Sequence, residues 1–217
     1  MFQFSIFGIQ LDALEVVGAV IGLAYLFFEY RASIWTWVFG VLMPIVYVYL
    51  FFRNGLYANM GINIYYIVAS VYGFVMWRKA SHQASKQPSI QTTNHSDTQA
   101  FKQPSNQAII ESCPRRYWLV ILPVLAILTI ALYLILNLLK ESQYPILDAL
   151  STALSIVMMY MLSRRWYQQW LLCIATEPIM IALGLLTGMY ATAVMYAVYL
   201  VVAVMGYFKW RRDYYKK

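Results

Sequence analysis

Hydrophobic residues in this chain come in long blocks. They show neither the alternation of a strand nor the single stripe of a surface helix. Seven blocks, at 12–29, 34–52, 56–77, 117–139, 146–163, 166–186 and 189–208, each approach the roughly 20 mostly apolar residues that a bilayer-crossing helix needs. The pattern predicts seven transmembrane helices. The fifth block is the least apolar, with Asp148, Ser151, Thr152 and Ser155, and is expected to face protein more than lipid. Between the third and fourth blocks, residues 80–112 turn to glutamine, serine, threonine, asparagine and proline. Such a stretch cannot bury enough apolar area to fold alone, and a flexible cytoplasmic linker is expected there. It contains Asn94-His95-Ser96, a glycosylation match without meaning on the cytoplasmic side.

Composition agrees with the blocks. Hydrophobic residues make up 62% of the 217 positions and charged ones 12%, against about 45–50% and about 25% in an ordinary soluble domain. A soluble fold of this size could not hide so much apolar surface. The net charge of +7 points to topology signals rather than nucleic acid, because the basic residues sit between and after the apolar blocks. The side holding the N-terminus and the 2–3, 4–5 and 6–7 loops has only Arg53 and Lys140. The other side has the remaining 14 of the 16 Lys and Arg. By the positive-inside rule the N-terminus is expected outside and the C-terminus in the cytoplasm of a bacterial inner membrane. No Lys or Arg precedes the first block, so it is read as a retained span rather than a cleaved leader. Cys113 falls in a polar segment and Cys173 in an apolar one, which argues against a disulfide.

A shift of 133 residues aligns the chain with itself. Gly55, Tyr57, Ala58, Tyr66, Val68, Val71, Gly73 and Trp77 fall on Gly188, Tyr190, Ala191, Tyr199, Val201, Val204, Gly206 and Trp210, and Trp37 falls on Trp170. The chain therefore divides into a three-helix repeat (1–79), the linker (80–112), a connecting helix (113–145) and a second repeat with a basic tail (146–217). Three spans end on the face opposite to their start, and the connecting helix crosses back. The two repeats are thus parallel, and transporters with that symmetry hold substrate near mid-depth between them.

Candidate binding residues follow from one helical face. Trp166, Trp170, Cys173 and Glu177 are spaced by 4, 3 and 4 in the sixth block. Glu177 lies mid-span, where a carboxylate costs a few kcal/mol and marks a functional site unless a neighbouring helix satisfies it. Pro178 follows and removes the backbone donor to Ile174. Pro44 does the same to Gly40, so both prolines are read as breaks or hinges in the second helix of each repeat. Asn59, Asn63, Tyr66 and Ser70 make a polar stripe in the third block, suited to a ligand or to helix–helix contacts. Trp37, Gly40, Pro44 and Tyr47 form the matching face of the second block. Flat rings beside a buried carboxylate suit a flat cation. Trp77, Trp118 and Trp210, near span ends, read as interface anchors. Glu15 precedes Gly18-x-x-x-Gly22, glycines that permit close packing, and lies nearer the outer end. An enzyme is poorly supported. Both histidines, His82 and His95, fall in the linker, and no HExxH, GxSxG, phosphate loop or Cys/His metal cluster occurs, so no cofactor or metal is called for.

The order Glu15-x-Val-Gly18-x-x-x-Gly22-Leu, Gly55-Leu-Tyr57-Ala, Tyr72-Gly73-x-x-x-Trp77, then Asp148, Leu154-Ser155-Ile156-Val157, Arg164-Arg165 and Trp170 resembles the Pnu vitamin transporters. It covers all seven blocks and excludes the linker. The resemblance implies two three-helix bundles joined by helix 4, similar to a SWEET sugar transporter. It also implies homo-oligomers, often trimers, and facilitated diffusion followed by trapping of the vitamin through a cytoplasmic kinase. Nicotinamide riboside carriers of the family usually have Trp and Asn at Cys173 and Glu177, and Gln at Asn63. A carboxylate suits a carboxamide oxygen poorly but would accept from an aminopyrimidine and balance a thiazolium. The PnuT-like thiamine branch is therefore the expectation, with nicotinamide riboside, or riboflavin or another vitamin, as alternatives. An intramembrane enzyme and a structural subunit are rivals from other classes. Thiamine is expected to stack among Trp37, Tyr66, Trp170 and Tyr199, with Glu177 on its cation or amine. Asn63 and Ser70 would complete the polar contacts, Cys173 would share the face of Glu177, and the bundles would rock about Pro44 and Pro178.

Overall fold

The computed structural model describes residues 3–6, 9–53, 57–86, 109–140, 142–188 and 190–216. Gly55 and residues 87–108, with His95, lie outside them, as do the side chains of Glu15, Asn59 and His82. A short antiparallel hairpin opens the chain, β1 (Gln3–Ile6) paired with β2 (Ile9–Asp12) so that Gln3 faces Asp12. The apolar blocks did not announce it. Seven helices follow among the described residues: α1 (Ala13–Tyr30), α2 (Trp35–Arg53), α3 (Tyr57–Lys86), α4 (Arg115–Leu139), α5 (Pro145–Ser163), α6 (Gln169–Leu186) and α7 (Tyr190–Tyr215). Five carry described apolar stretches long enough to cross a membrane, and α1 and α2 contribute the shorter Val20–Tyr30 and Trp35–Tyr49.

Each helix falls on one of the apolar blocks. The largest difference is in α3, which runs on to Lys86 and takes residues 80–86 from the stretch expected as linker. Arg78–Lys86 contains no glycine or proline, so nothing local stops the helix. At the far end of that stretch the chain is docked. The Glu111 N–H donates to Arg165 O (2.9 Å), the Tyr167 N–H donates to Glu111 O (3.0 Å), and the Arg165 guanidinium pairs with the Glu111 carboxylate (2.6 Å).

Helix α2 packs on α1 and α3, α6 packs on α5 and α7, and α4 lies against α5. Between the two groups, α3 meets α5 and α1 meets α7. Exchanging α1 for α5 and α3 for α7 converts one of these contacts into the other, as two like-oriented bundles require. The repeat extends to backbone detail. Ala32 and Arg165, 133 residues apart, both take a left-handed conformation (φ 52° and 61°) and end α1 and α5 alike. The N–H of the next residue returns to a carbonyl five back, Ser33 to Phe28 and Trp166 to Met161. Helix α5 is deeply enclosed, as its serines and aspartate suggested, whereas Ile121 is the buried residue of α4, whose leucines 119 and 138 are about four-fifths exposed to what must be lipid.

Four tryptophans knit the bundles together. Trp37 meets Trp77 edge-on (5.5 Å between centroids, 89°), Trp170 meets Trp210 in the same way (5.6 Å, 86°), and Trp77 and Trp210 lie 6.5 Å apart. Trp37 sits against Gly73 and Trp170 against Gly206, where no Cβ would fit. Two of the four indole N–H groups, those of Trp77 and Trp210, and the Tyr65 hydroxyl donate across the interface. Trp77 Nε1 donates to Leu162 O (3.1 Å), Trp210 Nε1 to Tyr30 O (3.1 Å), and the Tyr65 hydroxyl to Ile156 O (3.0 Å). Trp77 and Trp210 are therefore not interface anchors. At 1% and 0% exposure they are core residues, because each indole has a backbone carbonyl of the opposite bundle to satisfy.

Candidate functional site

A cavity of ≈ 310 Å³ lies between the bundles, walled by α1, α3, α5, α6 and α7. Its size is at the lower end of small-molecule sites. Helix α6 contributes Trp170, Cys173 and Glu177, three of the four residues on the 4-3-4 face, together with Thr176, while Trp166 precedes α6 and does not line the cavity; α3 and α7 contribute Tyr66 and Tyr199, which the repeat relates. Tyr199 approaches α1 through a gap left by Gly22, where a methyl group would meet its hydroxyl. The Tyr66 hydroxyl lies within hydrogen-bonding reach of Ser155, whose own proton goes to Ser151 O (2.9 Å). A second cavity of ≈ 390 Å³ shares Asp148, Met180 and Tyr196 with the first. It extends to Ser142 in the α4–α5 turn and to Thr187 at the end of α6. The Ser142 hydroxyl donates to the Asp148 carboxylate there. The site thus communicates with the face bearing those two turns, while the tryptophan cluster fills the interface near Tyr30 and Leu162, at the other ends of α1 and α5.

Acidic groups dominate the lining. Glu29, Asp148 and Glu177 face the first cavity, and among the described residues no Lys, Arg or His lines either one. Glu177 is 9% exposed, and its Oε2 is buried without a hydrogen-bond partner. Glu29 is 3% exposed, and its Oε1 accepts from Gln169 Nε2 (3.0 Å). A buried carboxylate without a basic partner is costly unless something else supplies the counter-charge. This arrangement suits a small cation with donor groups.

Of the residues proposed from sequence, Glu177, Tyr66, Trp170, Cys173 and Tyr199 come together on the cavity wall. Trp37, Asn63 and Ser70 do not line it. Trp37 is taken up by Gly73 and Trp77. The Ser70 hydroxyl donates to Gly40 O (3.1 Å), the carbonyl that Pro44 leaves without its helical donor. The position equivalent to Ser70 in the second repeat is Ala203, which does line the cavity. Neither proline breaks its helix. α2 and α6 run through Pro44 and Pro178 as continuous helices, in α2 with Ser70 repairing the freed carbonyl. Glu29, Tyr25, Ser155 and Tyr196 escaped the sequence reading. Tyr25 and Glu29 share a face at i, i+4, but Glu29 sits at the end of its block beside Arg31 and looks like a flanking charge.

The family model described as nicotinamide mononucleotide transporter matches residues 12–212. The chain belongs to that family. Among its curated relatives is the nicotinamide riboside transporter PnuC of Escherichia coli (strain K12), 24% identical over 94% of this chain and 87% of that protein. The protein of the same name from Neisseria mucosa is 26% identical over 92% of this chain and 72% of its own length. The crystal structure of the vitamin B3 transporter PnuC matches with a TM-score of 0.69 at 24% identity, covering 94% of this chain and 82% of that one, and establishes a shared fold. The chain is accordingly a multi-pass membrane protein of the Pnu vitamin transporter family.

Proposed function

We propose that this protein carries a small vitamin with a fixed positive charge, nicotinamide riboside in the first place, through the cavity between its bundles. The observation that carries this reading is the lining: three carboxylates, five aromatic residues (Tyr25, Tyr66, Trp170, Tyr196 and Tyr199), and no basic residue among those described. A pyridinium ring can stack on such rings, and the buried Glu177 oxygen can accept from a carboxamide N–H₂. The family description speaks of the mononucleotide, yet its phosphate would bring negative charge against Glu29 and Glu177 without an Arg or Lys to meet it. The riboside named for the relatives lacks that group. Transport is passive and alternates access between the two sides, with the N-terminus outside and the C-terminus in the cytoplasm as the 2-to-14 distribution of basic residues implies. A kinase in the cytoplasm traps the vitamin, and the carrier works as a homo-oligomer.

Thiamine is the second reading, favoured by Glu177 itself, which suits an aminopyrimidine and a thiazolium. Titration calorimetry on the purified protein separates the two. Saturable binding of nicotinamide riboside is expected, with the mononucleotide at least a hundredfold weaker. Displacement of bound riboside by thiamine at lower concentration than the riboside's own would transfer the assignment to thiamine. Saturable binding of neither vitamin would remove both.

A further inference from the structure

We propose that Glu29 is the charge-reading residue of the substrate site, and that Gln169 holds it in reserve as a latch between the two bundles; this rests on the cavity being a carrier site for a cationic vitamin.

Glu29 occupies the last turn of α1, in the first bundle, and Gln169 the first position of α6, in the second. Both are almost fully enclosed, at 3% and 0% exposure, yet Glu29 still borders the cavity. The amide of Gln169 is used twice. Its Nε2 donates to Glu29 Oε1 (3.0 Å), and its Oε1 faces the Cys173 thiol (3.4 Å), which also borders the cavity. Tyr25, one turn earlier in α1, reaches the same carboxylate. The backbone beside Glu29 is fixed from α7, since Tyr30 O accepts from both Trp210 Nε1 and Lys209 Nζ. Glu29 therefore stands on a rigid support.

Its charge has no cationic partner among the described residues. The ion pairs among the described residues are Arg165–Glu111 and Lys209–Asp213, and neither touches the cavity. Glu177, one turn beyond Cys173 on α6, adds a second carboxylate whose buried Oε2 has no partner. Neutral donors satisfy the geometry of Glu29 without satisfying its charge, so a cationic ring in the cavity competes with Gln169 for it. When the ring wins, the direct side-chain bond between α1 and α6 is released. Occupancy then loosens one link between the bundles at the point where the tryptophan cluster begins, which couples binding to the opening that transport requires. A neutral ligand of the same shape would leave the latch closed.

The test compares nicotinamide riboside with its reduced dihydro form, which keeps the skeleton and loses the positive charge, using calorimetry on the purified full chain. The wild type is expected to prefer the cation at least tenfold. Glu29→Gln, whose amide oxygen still accepts from Gln169, is expected to shrink that preference to below threefold. Gln169→Met, which removes the competing donor, is expected to bind the cation several-fold more tightly and the dihydro form unchanged. A merely structural role would lower both affinities together and leave their ratio intact. An unchanged ratio in Glu29→Gln would overturn the assignment, and so would a Gln169→Met variant that loses the cation as Glu29→Gln does. If Glu29→Gln does not fold, Glu29→Asp keeps the charge but shortens its reach, and the same narrowing of the ratio is required. Failure of the wild type to bind either vitamin would instead bring down the carrier reading, and this inference with it.

Discussion

The matched tryptophan–glycine seats allow a prediction with an internal control. A methyl group on Gly206 would lie 2.7 Å from both Cε2 and Cζ2 of Trp170, and one on Gly73 would come closer still to the six-membered ring of Trp37. Carbon atoms in contact rest about 3.5–4.0 Å apart, so the overlap is roughly 1 Å or more. Neither ring can retreat. Trp170 and Trp37 are 0% and 1% exposed, and each is wedged edge-on against a second tryptophan. Overpacking of this kind costs about 1–3 kcal/mol, and one or two kcal/mol already changes the folded-to-unfolded ratio by a factor of about 5–30. Gly61, also in α3, has nothing within 4 Å of its would-be methyl group and serves as the control. Thermal unfolding of the three alanine variants, followed by tryptophan fluorescence in one detergent, should show Gly73→Ala and Gly206→Ala melting well below the wild type and Gly61→Ala unchanged. Binding should divide the first two. Gly206→Ala displaces Trp170, on the cavity wall, and should weaken the vitamin, whereas Gly73→Ala displaces Trp37, off the wall, and should spare it in the fraction that remains folded. Equal melting of all three variants would refute the packing argument, and equal loss of binding by the two pairs would refute the placement of the site.

Ser70→Ala should lower stability by about 1 kcal/mol, because Gly40 O then has neither its helical donor nor the serine hydroxyl; vitamin affinity, measured on the same preparation, should not change. Outside the membrane-spanning segments, burial pushes the Cys113 thiol up to about 11. The thiol form therefore persists at neutral pH, and maleimide labelling of a Cys173→Ala background should be slow near pH 7, gaining about tenfold per pH unit until the pH approaches 11. Fast labelling at pH 7 would show that Cys113 is not enclosed as described.

Much of the candidate site was legible because it lies on one element. Trp170, Cys173 and Glu177 share a face of α6 by spacing alone, and a mid-span acid announces itself against apolar neighbours. Tyr66 and Tyr199 were legible through the repeat. What misled was the assumption that equivalent positions do equivalent work. Trp37 and Trp170 pack against glycine in the same way, yet only the second borders the cavity. Ser70 and Ala203 occupy matching places, but a serine next to a proline-freed carbonyl is consumed by it.

Local periodicity and the 133-residue shift determined by themselves the helices, their number and the parallel halves, because lipid demands long apolar runs and a duplicated unit carries its pattern with it. Which faces of α1 and α7, and of α3 and α5, meet was decided only when the bundles docked. That docking brought Glu29 to Gln169 across 140 residues, turned Trp77 and Trp210 from presumed anchors into core, and left the acids around one space. The reason is physical: an acid near a helix end is cheap when it faces headgroups and exacting when another helix covers it, and nothing within its own turn tells which neighbour will arrive.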